Sequence, residues 1–235
     1  MGLFSSVIHL RLDRVDAATA GLDKAMAALG FAPVGRQWLT EEGVGSGKLK
    51  NGPYYLVSPA REGWVTLVEW AGNGEPPWIM DVAQRLSETA GAYALALHLS
   101  DGDVWYYTLS HQGQVVDQYD SIPQYYENEP LSDAEIEVRR HHAERLAPIL
   151  PAGVTVDQVR ALLDRGWWKA YYAGQLDEDR VPLEEDPEEP FAEDWMTAFG
   201  TLLELHGSNG KYPYTLWRDS EQIPWMLFEA CEYRK

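Results

Sequence analysis

Between Ala92 and Tyr126 the chain reads AYALALHLSDGDVWYYTLSHQGQVVDQYDSIPQYY, and this stretch constrains the fold more than any other. Three apolar and aromatic runs are separated by Asp101-Gly102 and by Gln112-Gly113, the pattern of a three-stranded meander with tight turns. No polar residue precedes His98 in the first run, so that strand is expected to be central and covered on both faces. A two-residue loop at Gln112-Gly113 predicts Leu109 opposite Val116, Tyr107 opposite Gln118 and Trp105 opposite Asp120. Tyr106 and Tyr119 would then form an aromatic pair on the other face, since a slip of one residue exchanges the faces. Pro123 cannot donate to a ladder and ends the third strand.

The flanking segments extend the pattern. Ser6 to Leu12 alternates as a half-buried strand, and Ala17 to Leu29 carries helical spacing, with Asp13 or Asp16 as its cap and Gly30 as its stop. Phe31 to Leu39, Tyr54 to Val57 and Trp64 to Trp70 read as strands, with a turn at Arg61-Glu62-Gly63. Glycines 43, 45, 47 and 52 mark a loop. Pro76-Pro77 opens a helix that ends at Gly91. The order β-α-β-β-β-α-β-β-β to about Tyr119 implies an α+β fold, an antiparallel sheet lobe with helices on one face.

Beyond Tyr126 the texture is helical. Ser132 and Glu135 have capping-box spacing and predict a helix to about Leu150, and Thr155 starts another whose stripe includes Val159, Leu163 and Trp167. Asp177 to Asp194 holds ten acids and one base, an acidic connection. Phe191 to His206 predicts a further helix. Tyr212 to Trp217 and Trp225 to Phe228 suggest a terminal hairpin that returns to the sheet. The expected organisation is a sheet lobe over 1–126 and a mainly helical lobe over 127–235.

Nineteen basic residues against 37 acidic ones, a net charge of −18, argue against a phosphate-binding or anionic-membrane surface. That balance suits a basic protein partner. Cys231 is the single cysteine, so no intramolecular disulfide forms and a reducing cytoplasm is expected. The first fourteen residues lack a secretion signal, and no apolar run has the length of a membrane span.

Chemical motifs are sparse. Asp101 and Asp103 after an apolar strand, with Asp120 as a third ligand, are the residue types that hold a divalent metal in transferases. Ser100-Asp101-Gly102-Asp103 is equally a hairpin turn, and the turn is preferred. Gly43 to Lys48 fails the phosphate-loop pattern, because Glu42 stands where glycine is needed and Leu49 where Ser or Thr is needed. His141 and His142 are adjacent and would point to different helix faces, whereas His9 and His98 lie on predicted strands and can be neighbours. No cofactor is expected.

The aromatic residues are the stronger signal. Trp105, Tyr106 and Tyr107 are consecutive, and Trp167, Trp168, Tyr171 and Tyr172 share one predicted helix. Adjacent rings cannot all enter one core, so some must line a second surface. Packing between the lobes accounts for most of the rings, and the candidate recognition residues are Trp105, Tyr107, Tyr125, Trp168 and Tyr172. Residues 103–126 resemble a segment of uncharacterised bacterial proteins, a resemblance that implies no site and no activity. The sequence therefore points to a non-catalytic binding protein, an acidic inhibitor or immunity-type partner of a basic protein. The alternatives are a metal-dependent enzyme using Asp101, Asp103 and Asp120, or a small-ligand sensor with an aromatic cleft.

Overall fold

The computed structural model describes residues 5–38, 54–70, 78–100, 102–123, 125, 127, 129, 131–174, 192–205 and 226–232. The elements are β1 (Ser5–Leu10), α1 (Val15–Ala28), β2 (Phe31–Trp38), β3 (Tyr54–Val57), β4 (Val65–Trp70), α2 (Ile79–Ala90), β5 (Ala94–Ser100), β6 (Val104–His111) and β7 (Gln114–Asp120). They are followed by α3 (Asp133–Arg139), a 3-10 segment (Ala143–Ile149), α4 (Val156–Gly174), α5 (Ala192–Leu202) and β8 (Met226–Glu232). The β-α-β-β-β-α-β-β-β order expected from the sequence is the observed one, and the fold is α+β. All eight strands form one antiparallel sheet in the order β2-β8-β3-β4-β1-β5-β6-β7. β8 is the returning terminal strand. The first arm of the expected hairpin, the acidic run up to residue 191 and the glycine-rich loop lie outside the described residues.

Alternation along each strand sends side chains to two covered faces. On one face Ile8, Leu10, Val57, Leu67, Ala94 and Ala96 pack against Leu22 and Met26 of α1 and Val82 and Leu86 of α2. α1 and α2 approach closely at Gly21, where an added Cβ would meet the Ala90 Cβ at 3.1 Å. The small Ala94 and Ala96 leave room for this helix pair. On the opposite face Trp105, Tyr107 and Tyr119 meet Phe199 of α5, beside Leu146 and Ile149 of the 3-10 segment and Leu163 of α4. The Tyr107 and Phe199 rings stack at 5.2 Å, and Trp105 lies 4.8 Å from Tyr119 and 5.4 Å from Phe199. Helices thus cover both faces, with the C-terminal ones opposite α1 and α2. β5, between β1 and β6, is the doubly covered strand expected from its apolar run.

Turn chemistry fixes the hairpins. Glu62 and Gly63 (φ 48° and 76°) and Gln112 and Gly113 (φ 50° and 76°) are paired left-handed residues, as primed two-residue turns require. The register beyond Gln112-Gly113 differs from expectation. His111 pairs with Gln114 and Ser110 with Val115, but Leu109 then pairs with Asp117, leaving Val116 as an extra residue. This bulge reverses the faces of the rest of β7. Tyr107 is opposite Tyr119, and Tyr106 is opposite Asp120. The Val116 carbonyl accepts a hydrogen bond from Arg145 at 3.0 Å, so its lost ladder bond is replaced.

Three other expectations are corrected. α1 starts after Arg14, which offers no side-chain cap; Asp16 instead lies in the first turn and pairs with Arg14. The helix expected over Ser132–Leu150 is split, although its Ser132–Glu135 capping box is present. The backbone N–H of His142 donates to the Asp117 carboxylate at 3.1 Å instead of continuing the helix. His9 and His98 lie on β1 and β5 but face opposite sides of the sheet, because His9 is opposite Leu95 and His98 is opposite Ser6. Their alternation separates them.

Candidate functional site

The two helices on the α1–α2 face do not cover the whole sheet. α2 is pinned to the β6–β7 turn, where Gln84 donates to the Gly113 carbonyl at 2.7 Å and the Gly113 N–H donates to Ser87 Oγ at 3.0 Å. That placement leaves the other end of the β6–β7 hairpin open on this face. A cleft of about 460 Å³ lies there, between α2, the two strands and the segment leading into α3. Pockets for small ligands typically span about 300–1,000 Å³.

Its walls follow from strand alternation. Tyr106 and Thr108 of β6 and Gln118 and Asp120 of β7 form the floor, Trp78, Met80, Asp81 and Gln84 one wall, and Pro123, Glu127 and Arg139 the other. Trp78, 51% exposed, stacks on Tyr106 at 5.8 Å and leans on His98 at 5.6 Å, while His98 and Tyr106 stack at 4.7 Å. Three carboxylates, Asp81, Asp120 and Glu127, face one guanidinium. That guanidinium is engaged, since Arg139 reaches Glu127 at 2.7 Å and the Pro123 carbonyl at 2.6 Å.

Asp120 is the carboxylate at the floor. Its Oδ1 accepts the Ile122 N–H at 3.0 Å, and no Lys or Arg among the described residues forms an ion pair with it. Burial raises its pKa to about 6, opposed by the Ile122 N–H and by Arg139. A half-buried acid with one backbone donor is short of positive partners, and an arriving cation would relieve that cost.

The cleft is one end of a longer polar row. Tyr106 is opposite His98, His98 is opposite Ser6, and Tyr55 is opposite Glu69 across neighbouring strands of the same face. Ser6 Oγ lies 2.7 Å from His98 Nδ1 and also hydrogen-bonds the Glu69 carboxylate. Burial raises the Glu69 carboxyl to about 7 against that hydrogen bond, and lowers His98 to about 4, so His98 is neutral. The Tyr55 hydroxyl and Glu69 Oε1 are buried with no hydrogen-bond partner among the described residues. Between these polar positions the same face carries Ile8, Leu10, Val57, Leu67, Ala94 and Ala96.

The expected site residues are distributed differently. Trp105 and Tyr107 are each 1% exposed and belong to the core opposite the cleft, so neither can anchor a partner. Tyr106, the ring between them, lines the cleft instead. Tyr125 is exposed, and its hydroxyl donates to Asp103 Oδ2 at 3.1 Å. Trp168 and Tyr172 belong to α4, and their side chains lie outside the described residues. Asp101 also lies outside them. Asp103 closes its turn by donating its N–H to the Ser100 carbonyl at 3.1 Å, as turn residues do. Among the described residues no group of three His, Cys, Asp or Glu side chains is placed to hold a metal ion. Trp78 was not singled out by sequence reasoning, although its place beside Pro77 at the head of a helix puts a large ring at a helix end.

His141 and His142 have a structural task. His142 Nδ1 lies 3.2 Å from Asp117 Oδ1, and His141 Nε2 lies 3.0 Å from Asp164 of α4. Asp117, turned inward by the bulge, also accepts the Tyr107 hydroxyl at 2.7 Å. Burial raises its pKa while these donors oppose the rise. The two carboxylates thus clip the link after α3 to the sheet and to α4.

A scan of protein-family models finds no match to the chain, and searches of curated proteins and of solved structures find none. Among the described residues no helix is long and apolar enough to cross a membrane.

Proposed function

We propose that this is a non-catalytic binding protein whose cleft takes an organic cation with a flat or apolar body. The observation that carries the reading is the half-buried Asp120 carboxylate, without an ion pair among the described residues, at the floor beside the Trp78 and Tyr106 rings. A cation seated there meets the negative faces of two rings and a poorly solvated carboxylate together, and each interaction strengthens as water leaves. Met80, Val115 and Pro123 supply apolar contact for the rest of the ligand. The acidic-inhibitor reading keeps its support from the net charge of −18, and its ring anchors become Trp78 and Tyr106.

Calorimetric titration with agmatine, choline and benzylamine, and with benzyl alcohol as a neutral control, tests the reading. At least one cation should bind and benzyl alcohol should not. Asp120→Asn and Trp78→Ala should each weaken that binding about tenfold or more without lowering the melting temperature. Binding unchanged in both variants, or absent for all three cations, rules the cleft out as a cation site.

A further inference from the structure

The large apolar side chains exposed among the described residues are Trp78, Val115, Tyr125 and Val138. Trp78 and Val115 line the cleft itself. Tyr125 stands between Pro123 and Glu127, which form one wall, and Val138 adjoins Arg139. Gln118 ties Val138 to the cleft floor by donating to its carbonyl at 3.0 Å. Isolated exposed apolar residues are ordinary on any surface. Two that line a cleft and two that neighbour its wall residues are a grouping of the kind that marks an interaction surface.

The segment bordering the patch is acidic, while the two arginines beside it, Arg139 and Arg145, are engaged by the Pro123 and Val116 carbonyls. From residue 127 to 138 the chain carries Glu127, Glu129, Asp133, Glu135 and Glu137, all exposed, and no Lys or Arg. A free small cation needs only the cleft. An apolar rim with an acidic border extends past the volume such a molecule fills, and it matches a chain that alternates apolar and basic side chains.

We propose that this face docks a basic polypeptide segment of a partner protein, with one Arg or Lys side chain seated against Asp120 between Trp78 and Tyr106. The inference rests on the cleft being a cation site, and it adds the macromolecule that carries the cation. Apolar side chains flanking the inserted base cover Val115, Tyr125 and Val138. The acids of the 127–137 border draw the segment in and fix its direction, because charges outside the desolvated centre act mainly on encounter and orientation. The inserted side chain and Trp78 form the desolvated centre, where truncation costs most.

Fluorescence anisotropy with a labelled alternating Val-Arg octapeptide tests this, with an alternating Val-Gln octapeptide and free agmatine as references. The Val-Arg peptide should bind at least about tenfold more tightly than agmatine, and agmatine should displace it. Val138→Ser should weaken the peptide and leave agmatine unchanged, whereas Asp120→Asn should weaken both. Replacing Glu135 and Glu137 together by Gln should slow association and reduce its dependence on salt. If agmatine binds but the peptide binds no more tightly, or is indifferent to Val138→Ser, the docking surface is overturned and the cation cleft stands. If the peptide binds equally to the wild type and to Asp120→Asn, or if the Val-Gln peptide binds as well, the seated base is wrong. If the Val-Arg peptide does not bind, the docking surface falls, and if agmatine, choline and benzylamine all fail as well, the cation cleft falls with it.

Discussion

The two faces of the β6–β7 hairpin use similar residues for opposite purposes. On the face toward α5, Trp105, Tyr107 and Tyr119 are sealed against Phe199, and the one carboxylate there, Asp117, is met by a tyrosine hydroxyl and a backbone N–H. On the face toward α2, Tyr106 is half-buried between Trp78 and His98, and among the described residues Asp120 has a single backbone donor and Glu69 further along the row leaves an oxygen unpartnered. The contrast lies in the carboxylates. Trp105 Nε1 on the sealed face also has no hydrogen-bond partner among the described residues, but a carboxylate costs more to leave short than a neutral donor. One strand pair presents both faces because its side chains alternate.

The largest effect separates neighbouring rings. Trp105→Ala removes a fully buried ring and should cost about 4 kcal/mol in denaturant unfolding, whereas Tyr106→Ala should cost about 1 kcal/mol. Equal losses would mean that the two faces are packed alike.

Next comes Glu69, whose folded pKa of about 7 lies above its ordinary 4.5. The folded state holds that proton more tightly, so its contribution is full at acid pH and is lost as pH rises from about 4.5 through about 7. The loss amounts to about 3 kcal/mol at most. Glu69→Gln should lose less melting temperature than the wild type across this interval. His98, with its pKa lowered to about 4, acts oppositely: its contribution is lost as pH falls from about 6.5 through about 4. Parallel pH profiles for wild type and Glu69→Gln would show that the carboxyl is solvated and the polar row is matched after all.

The smallest effect probes the matched face. Tyr107→Phe removes the hydroxyl donated to Asp117 and should cost about 2 kcal/mol, since the carboxylate stays buried with fewer donors. The loss should shrink on acidification, as protonated Asp117 no longer needs that donor. A neutral substitution at pH 7 would show that water reaches Asp117 and that this face is less closed than its rings imply.

Much of the fold was legible in the chain. Glycine-containing turns, the apolar run of β5 and the capping box at Ser132 each depend on a few adjacent residues, so local patterns expose them. The candidate site was partly legible: three consecutive aromatic residues do require a ring on a second surface. Which of the three faces out is not legible locally, because Trp105 and Tyr107 each have an aromatic neighbour able to fill the core in their place. The expected pairing with β7 fails at Val116. A bulge held by the distant Arg145 leaves no mark in the local pattern, which alternates equally well in either register.

The sequence by itself determined the element order, the hairpin turns, the net charge of −18 and the excess of aromatic residues over what one core face can hold. These follow from backbone preferences and from composition, which act within a few residues or over the whole chain. Only the tertiary structure decided that the C-terminal helices lie opposite α1 and α2, that Asp117 turns inward and that Asp120 meets Tyr106 and Trp78 at a cleft. Those outcomes depend on pairings between segments far apart in the chain. A shift of one residue in such a pairing exchanges core for surface while leaving every local preference satisfied.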